Sequence, residues 1–187
     1  MRDQKGWCVW VTGLPGSGKS TITSLLEQKL KTLGAYTEVV SVDLVRKHLT
    51  PTPTYSEEER SLVYGALVFT SLMLTKNGVN VIIDATGNRR RFREQARHLI
   101  ADFMEAYVKC PLEVCIQREE NRKDRHLAPS QIYTKAKLGG APNVPGVGVP
   151  YETSNPEVTV DSSTLSPSEC TEVVMRALNE RILSRRS

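Results

Sequence analysis

The chain has 187 residues, 25 Lys+Arg against 21 Asp+Glu, a formal charge of +4, and 39% hydrophobic residues. That is enough for a single domain spanning residues 1–187 with a packed core, and it excludes a disordered tail or a fibrous protein. No apolar run approaches the ~18–20 residues of a membrane span and the N-terminus lacks the form of a signal peptide. A cytoplasmic protein is therefore expected, with no membrane partner and with Cys8, Cys110, Cys115 and Cys170 reduced.

Apolar segments bounded by turn residues alternate with stretches of helical period, the pattern of a parallel sheet covered by helices. The first strand is expected at Trp7 to Thr12, followed by a glycine-rich turn. A helix comes next, with Ile22, Leu25, Leu26, Leu30 and Leu33 on its apolar face and Gly34 closing it. Further strands are expected at Thr37 to Val42, Val79 to Ile83, Glu105 to Lys109 and Val158 to Val160. Helices are expected from Glu58 to Lys76 and from Arg91 to Met104. The last helix opens on the capping box Ser166-Pro167-Ser168-Glu169 and packs Val173, Val174, Ala177, Leu178 and Ile182 on the sheet. Residues 119–149 break the pattern, with many charges and then a Gly- and Pro-rich run, and read as a functional loop.

The sharpest signal is Gly13-Leu14-Pro15-Gly16-Ser17-Gly18-Lys19-Ser20, a full G-x-x-x-x-G-K-[ST] match between a strand and a helix. Glycines let the backbone wrap phosphate oxygens, so that N–H groups and a helix N-terminus face negative charge. Lys19 then reaches the β/γ-phosphates and Ser20 offers a hydroxyl to Mg²⁺. A nucleoside triphosphate is the expected ligand. The cations Arg118, Arg122, Lys123, Arg125, Lys135 and Lys137 crowd the irregular stretch, where a lid of about residues 119–150 would close positive charge over a transferring phosphoryl group.

In an open parallel sheet, ligands sit beyond the carboxyl ends of the strands. Asp43 and Asp84 both follow strands there, placed to accept a hydroxyl proton or hold Mg²⁺. The plainer alternatives are a helix cap for Asp43 and a turn-holding role for Asp84. Arg46, one helical turn past Asp43, faces the same space, and Arg60 joins it in gripping an anionic acceptor. The run Arg89-Arg90-Arg91 with Arg93 and Arg97 reads as mostly solvated, with at least one member in reach of the site.

Several motifs resemble the adenylylsulfate kinases. They are Val9 through the cradle to Thr21, Asp43-Leu44-Val45-Arg46, Tyr55-Ser56 with Arg60, Pro111 to Arg118, Ile132-Tyr133-Thr134-Lys135-Ala136, Pro150-Tyr151-Glu152 and Asn155-Pro156-Glu157. The resemblance covers nearly the whole chain. It implies a three-layer P-loop NTPase fold, a five-stranded parallel sheet with helices on both faces and a mobile lid, and a homodimer. It also implies transfer of phosphate from Mg·ATP to the 3′-hydroxyl of adenylylsulfate. On this resemblance Gly13, Pro15, Gly16, Ser17, Gly18, Lys19, Ser20, Thr21 and Arg118 serve ATP, and Ser20 and Asp43 serve Mg²⁺. Asp43, Arg46, Tyr55, Arg60, Asp84 and Lys135 serve the acceptor, with Asp43, Lys19 and Arg46 catalytic.

Departures from the family pattern concentrate on the acceptor side. Ser41-Val42 replaces an Asp-Gly, Val63-Tyr64-Gly65-Ala66 replaces Asn-Ile-Arg-Arg, Gly87 stands for a serine, and Val144 stands for a lid phenylalanine that stacks on the acceptor base. A lost hydrogen-bond pair typically costs ~1–3 kcal/mol. The acceptor is then adenylylsulfate held by altered contacts, or another hydroxyl compound carrying phosphate, sulfate or carboxylate. Two other readings stand beside a small-molecule kinase: a non-catalytic nucleotide-binding module, and a polynucleotide 5′-kinase, which the basic charge permits.

Overall fold

The computed structural model describes residues 5–122, 131–138 and 143–185. Five parallel strands, β1 (Cys8–Thr12), β2 (Thr37–Ser41), β3 (Asn80–Asp84), β4 (Phe103–Lys109) and β5 (Val158–Asp161), stand in the order β2-β3-β1-β4-β5. The helices are α1 (Lys19–Thr32), α2 (Val42–Leu49), α3 (Glu57–Lys76), α4 (Arg90–Leu99), α5 (Leu112–Glu120), α6 (Ile132–Lys137) and α7 (Pro167–Arg181). None is long and apolar enough to cross a membrane.

The period of two in β1 divides the core. Trp7, Val9 and Val11 face a layer of Ile22, Leu26 and Leu30 from α1 and Val174, Leu178 and Ile182 at the end of the chain. Cys8 and Trp10 face the other side, against Tyr64 and Leu67 of α3 and Phe92 and Ala96 of α4. Helices thus cover both faces, and β1 is buried along its full length, which is why it reads as an unbroken apolar run.

Three expectations need correction. Leu33 is 67% exposed, because α1 ends at Thr32 and the chain turns through Gly34 (φ +78°), whose N–H donates to Lys31 O. Met104 lies in β4, not at the end of a helix. The backbone turns extended at Ile100, and by Asp102 its carbonyl already accepts the Cys8 N–H of the sheet. The loop of residues 119–149 contains the end of α5 and all of α6. The capping box is present: Ser166 Oγ accepts the Glu169 N–H while Glu169 accepts the Ser166 N–H. Ser166→Ala should lower stability by ~1 kcal/mol, read as the shift in denaturant midpoint with unchanged slope.

Register carries the fold to the site. Asp84 pairs with Val11 on one side and Ser41 on the other. The carboxyl ends of β1, β2 and β3 therefore form one level edge, on which the glycine-rich turn, the start of α2 and Asp84 meet.

Candidate active site

The turn after β1 is built for close backbone approach. Gly16 has φ +80°, and a Cβ there would lie 2.3 Å from Cys115 O; at Gly13 (φ +149°) it would lie 2.4 Å from Val108 O. Gly18 (φ +94°) hands the chain into α1, so the N–H groups of that first turn point into the cradle. Ser17 is buried, and its carbonyl accepts from Ser162 Oγ at 2.8 Å. Lys19 reaches back to Leu14 O at 2.9 Å.

Beyond the cradle opens a cavity of about 580 Å³ lined by Pro15, Gly16, Gly18, Lys19, Ser20 and Thr21 on one side. Asp43, Arg46, Tyr55, Arg60, Tyr64 and Asp84 line another, and Arg118, Arg122 and Lys135 line a third. Of the residues expected to bind ATP, metal or acceptor, Gly13 and Ser17 stand behind this wall, supporting the turn from within, and Lys137 of the expected lid cations does not line the cavity either. Lys123 and Arg125 lie outside the described residues, as does part of the expected lid.

The charge of Asp84 reaches Asp43. Burial, then the charge of Asp84, holds the Asp43 carboxyl above the usual carboxylate range, against the opposing pull of Lys19 and Arg46. Burial lowers the Lys19 ammonium, while Asp84 and Asp43 favour its charged form. Neither carboxylate serves the alternative role. Ser41, not Asp43, caps α2, its Oγ accepting the Asp43 N–H at 3.2 Å. The turn after Asp84 is held by Thr12 Oγ1 donating to Thr86 O at 2.6 Å and by Gly87 N–H donating to the Tyr64 hydroxyl at 2.9 Å. Among the described residues no side-chain hydrogen bond or ion pair engages either carboxylate. With the Ser20 hydroxyl on the same cavity, this is an all-oxygen donor set of the kind a hard divalent cation takes.

Arg46 and Arg60 are held tightly. Arg46 pairs with Glu59 at 2.5 Å, both side chains nearly buried, and its guanidinium stands 4.8 Å from the Tyr55 ring centroid. Glu59 also accepts from the Thr54 hydroxyl at 2.7 Å. Arg60 donates to Tyr55 O at 3.2 Å, Asn88 Oδ1 at 3.4 Å and Asn143 O at 2.5 Å, tying the segment after α6 to α3. Arg118 is fixed by Ser162, donating to its carbonyl at 2.7 Å and its hydroxyl at 3.1 Å.

The arginine run of α4 does not reach the cavity. Arg89 pairs with Glu152, Arg90 with Glu94 and Arg91 with Glu57, while Arg93 is fully buried against Glu105 at 2.8 Å. Arg97 bridges Glu157 and Glu105. Gly87 is obligatory where a serine was the family expectation: its φ is +50° and a Cβ would lie 2.8 Å from the Trp10 ring. Val144 is packed with Cys110, Cys115 and Tyr133. Tyr133, quoted in the sequence only as part of a family motif and given no role there, donates its hydroxyl to Pro15 O at 2.8 Å and so seats α6 on the cradle. Sequence reasoning passed over Asn143, whose Gly- and Pro-rich setting gives no sign of a partner on α3.

The family model for adenylylsulphate kinase matches residues 5–161. A probable adenylyl-sulfate kinase of Pyrococcus abyssi is 38% identical over 177 residues, covering 94% of this chain and 97% of that protein. An adenylyl-sulfate kinase of Synechococcus sp. (strain JA-3-3Ab) is 36% identical over 176 residues, covering 94% and 95%. The solved Mycobacterium tuberculosis APS kinase in complex with AMPPNP and APS superposes with a TM-score of 0.83 at 29% identity, covering 94% of this chain and 99% of that one. With a cradle, two carboxylates and two arginines on one cavity, and with these relatives along nearly its whole length, the chain belongs to the adenylylsulphate kinase family.

Proposed function

We propose that this chain, as one domain, passes the γ-phosphoryl group of ATP to a hydroxyl of adenylylsulfate, the 3′-hydroxyl on the family pattern. The observation that carries this reading is the single cavity onto which the cradle and the Asp43–Arg46–Asp84 edge both open. Backbone N–H groups of the cradle and Lys19 bind the triphosphate, and Arg118 and Lys135 bring charge to the same side. The acceptor hydroxyl gives its proton to Asp43 as its oxygen bonds to γ-phosphorus. The bond from γ-phosphorus to the β–γ bridging oxygen breaks, and ADP leaves. Asp43 suits this work because burial and Asp84 raise its affinity for the proton. Ser20 would hold Mg²⁺, which when bound neutralises charge on the phosphates, and Asp43 is kept for the proton rather than the metal.

Arg46, steered by Glu59, faces the anionic part of the acceptor, and Arg60 holds Asn143 and Tyr55 in place around it. The aromatic surface for the adenine is Tyr55 in place of residue 144. Residues 119–150 act as the lid, and the protein works in the cytoplasm as a homodimer. Release of ADP should be fastest with adenylylsulfate in a panel that includes phosphorylated alcohols and free nucleotides. Release driven by a phosphorylated alcohol and unmoved by adenylylsulfate would overturn the acceptor assignment.

A further inference from the structure

Arg60 and Tyr64, one helical turn apart, are the residues of α3 that line the cavity. Tyr64 stands where the family pattern has an isoleucine, so its hydroxyl is a polar group that the pattern does not supply. The residue is 3% exposed, and its ring stacks on Phe92, centroids 4.4 Å apart, and on Trp10 at 6.2 Å. Those contacts fix the hydroxyl at the turn that follows β3, where it accepts the Gly87 N–H at 2.9 Å.

Accepting that bond uses a lone pair and leaves the hydroxyl proton free to be donated. Among the described residues no acceptor takes it, although a buried hydroxyl seldom lacks one. Burial raises the phenol above its usual range, so it stays protonated, and the charges acting on it are those of Arg46, Arg60 and Asp43, all on the acceptor wall of the cavity. The cations of that wall leave work for a further donor. Arg60 is engaged with Tyr55, Asn88 and Asn143, and Arg46 with Glu59. Val63, which replaces an asparagine of the family pattern, is fully buried and does not line the cavity. A neutral hydroxyl adds a directed hydrogen bond to an anion without burying another charge.

We propose that the Tyr64 hydroxyl donates a hydrogen bond to an anionic oxygen of the acceptor's phosphosulfate group, beside Arg46, and so helps to select an anionic acceptor. This rests on the reading of adenylylsulfate as acceptor. The test is made on the full chain carrying [ζ-¹³C]tyrosine, with the Tyr64 resonance identified by its absence from Tyr64→Phe. Phenylalanine keeps the ring stack, and a thermal melt shows whether the variant folds. On saturation of the parent with adenylylsulfate the resonance should move downfield, as a phenol carbon does when its hydroxyl donates to an anion. Tyr64→Phe should raise the KM for adenylylsulfate ~10-fold, with kcat and the KM for ATP within ~2-fold of the parent. A hydroxyl that only supports the turn through Gly87 would leave the resonance still. A parent that turns over adenylylsulfate while its resonance stays still, or a folded Tyr64→Phe with the parental KM for adenylylsulfate, would overturn this proposal alone. A parent that neither binds nor turns over adenylylsulfate would overturn it together with the acceptor reading on which it rests.

Discussion

Asp43→Asn should lower turnover by a factor on the order of 10²–10⁴, the usual contribution of a positioned proton acceptor. ATP affinity should stay close to that of the parent, because the cradle is made of backbone groups and Lys19, which the substitution does not touch. Stability should hold or rise. A carboxylate whose folded pKa lies above its unfolded value binds its proton more tightly in the folded chain, so its ionisation opposes folding. That cost is absent below the ordinary Asp range and complete above the raised value. Asparagine keeps the shape, carries no charge, and removes the repulsion from Asp84. For the same reason the acid limb of the parent's pH–rate profile should lie above the ordinary carboxylate range, since protonated Asp43 cannot accept the hydroxyl proton. Steady-state kinetics, nucleotide titration and a thermal melt on one preparation decide the matter. Parental turnover in the Asp43→Asn variant would remove Asp43 from the chemistry.

Arg93→Leu should have the largest effect on the fold, a loss of ~3–5 kcal/mol, the usual consequence of taking one partner from a buried ion pair. Arg93 and Glu105 are 0% and 1% exposed in their side chains. The guanidinium also donates to the carbonyls of Gly87 and Glu152 and to Ser154 Oγ, pinning the segment after α6 to the turn beyond β3. For a chain of this size the loss corresponds to a fall in melting temperature on the order of 10 °C by scanning calorimetry. Replacing both partners, Arg93→Leu with Glu105→Leu, should recover part of it, because no charge is then left stranded in the core. A single variant that melts with the parent would show that the pair does not anchor this segment.

The difference between these two residues explains what was legible in the sequence. The cradle and Asp43 are set by local rules: glycine spacing against a strand and a helix, and a carboxylate just past a strand end. Such rules survive without knowledge of the tertiary fold. Arg93 obeys no local rule. In an arginine-rich run it reads as solvated, and only the pairing of β4 with the packing of α4 brings Glu105 beneath it. Ser41 was read as a lost acidic residue, yet its hydroxyl caps α2 and frees Asp43 for the cavity. Arg60 is visible as a cation near the acceptor, but not as the tie that holds Asn143, since its partner lies in a stretch without period. Gly87 reads as a missing serine, and only the Trp10 ring beneath it shows why a side chain has no room. Legibility thus falls off wherever a residue's role is fixed by a distant partner.

The most direct test of the account is the identity of the product. Incubated with Mg·ATP and adenylylsulfate and followed by ³¹P NMR, the protein should produce a new phosphomonoester resonance on the adenylylsulfate ribose, rising one for one with ADP. ADP accompanied only by inorganic phosphate, or no ADP at all, would contradict it.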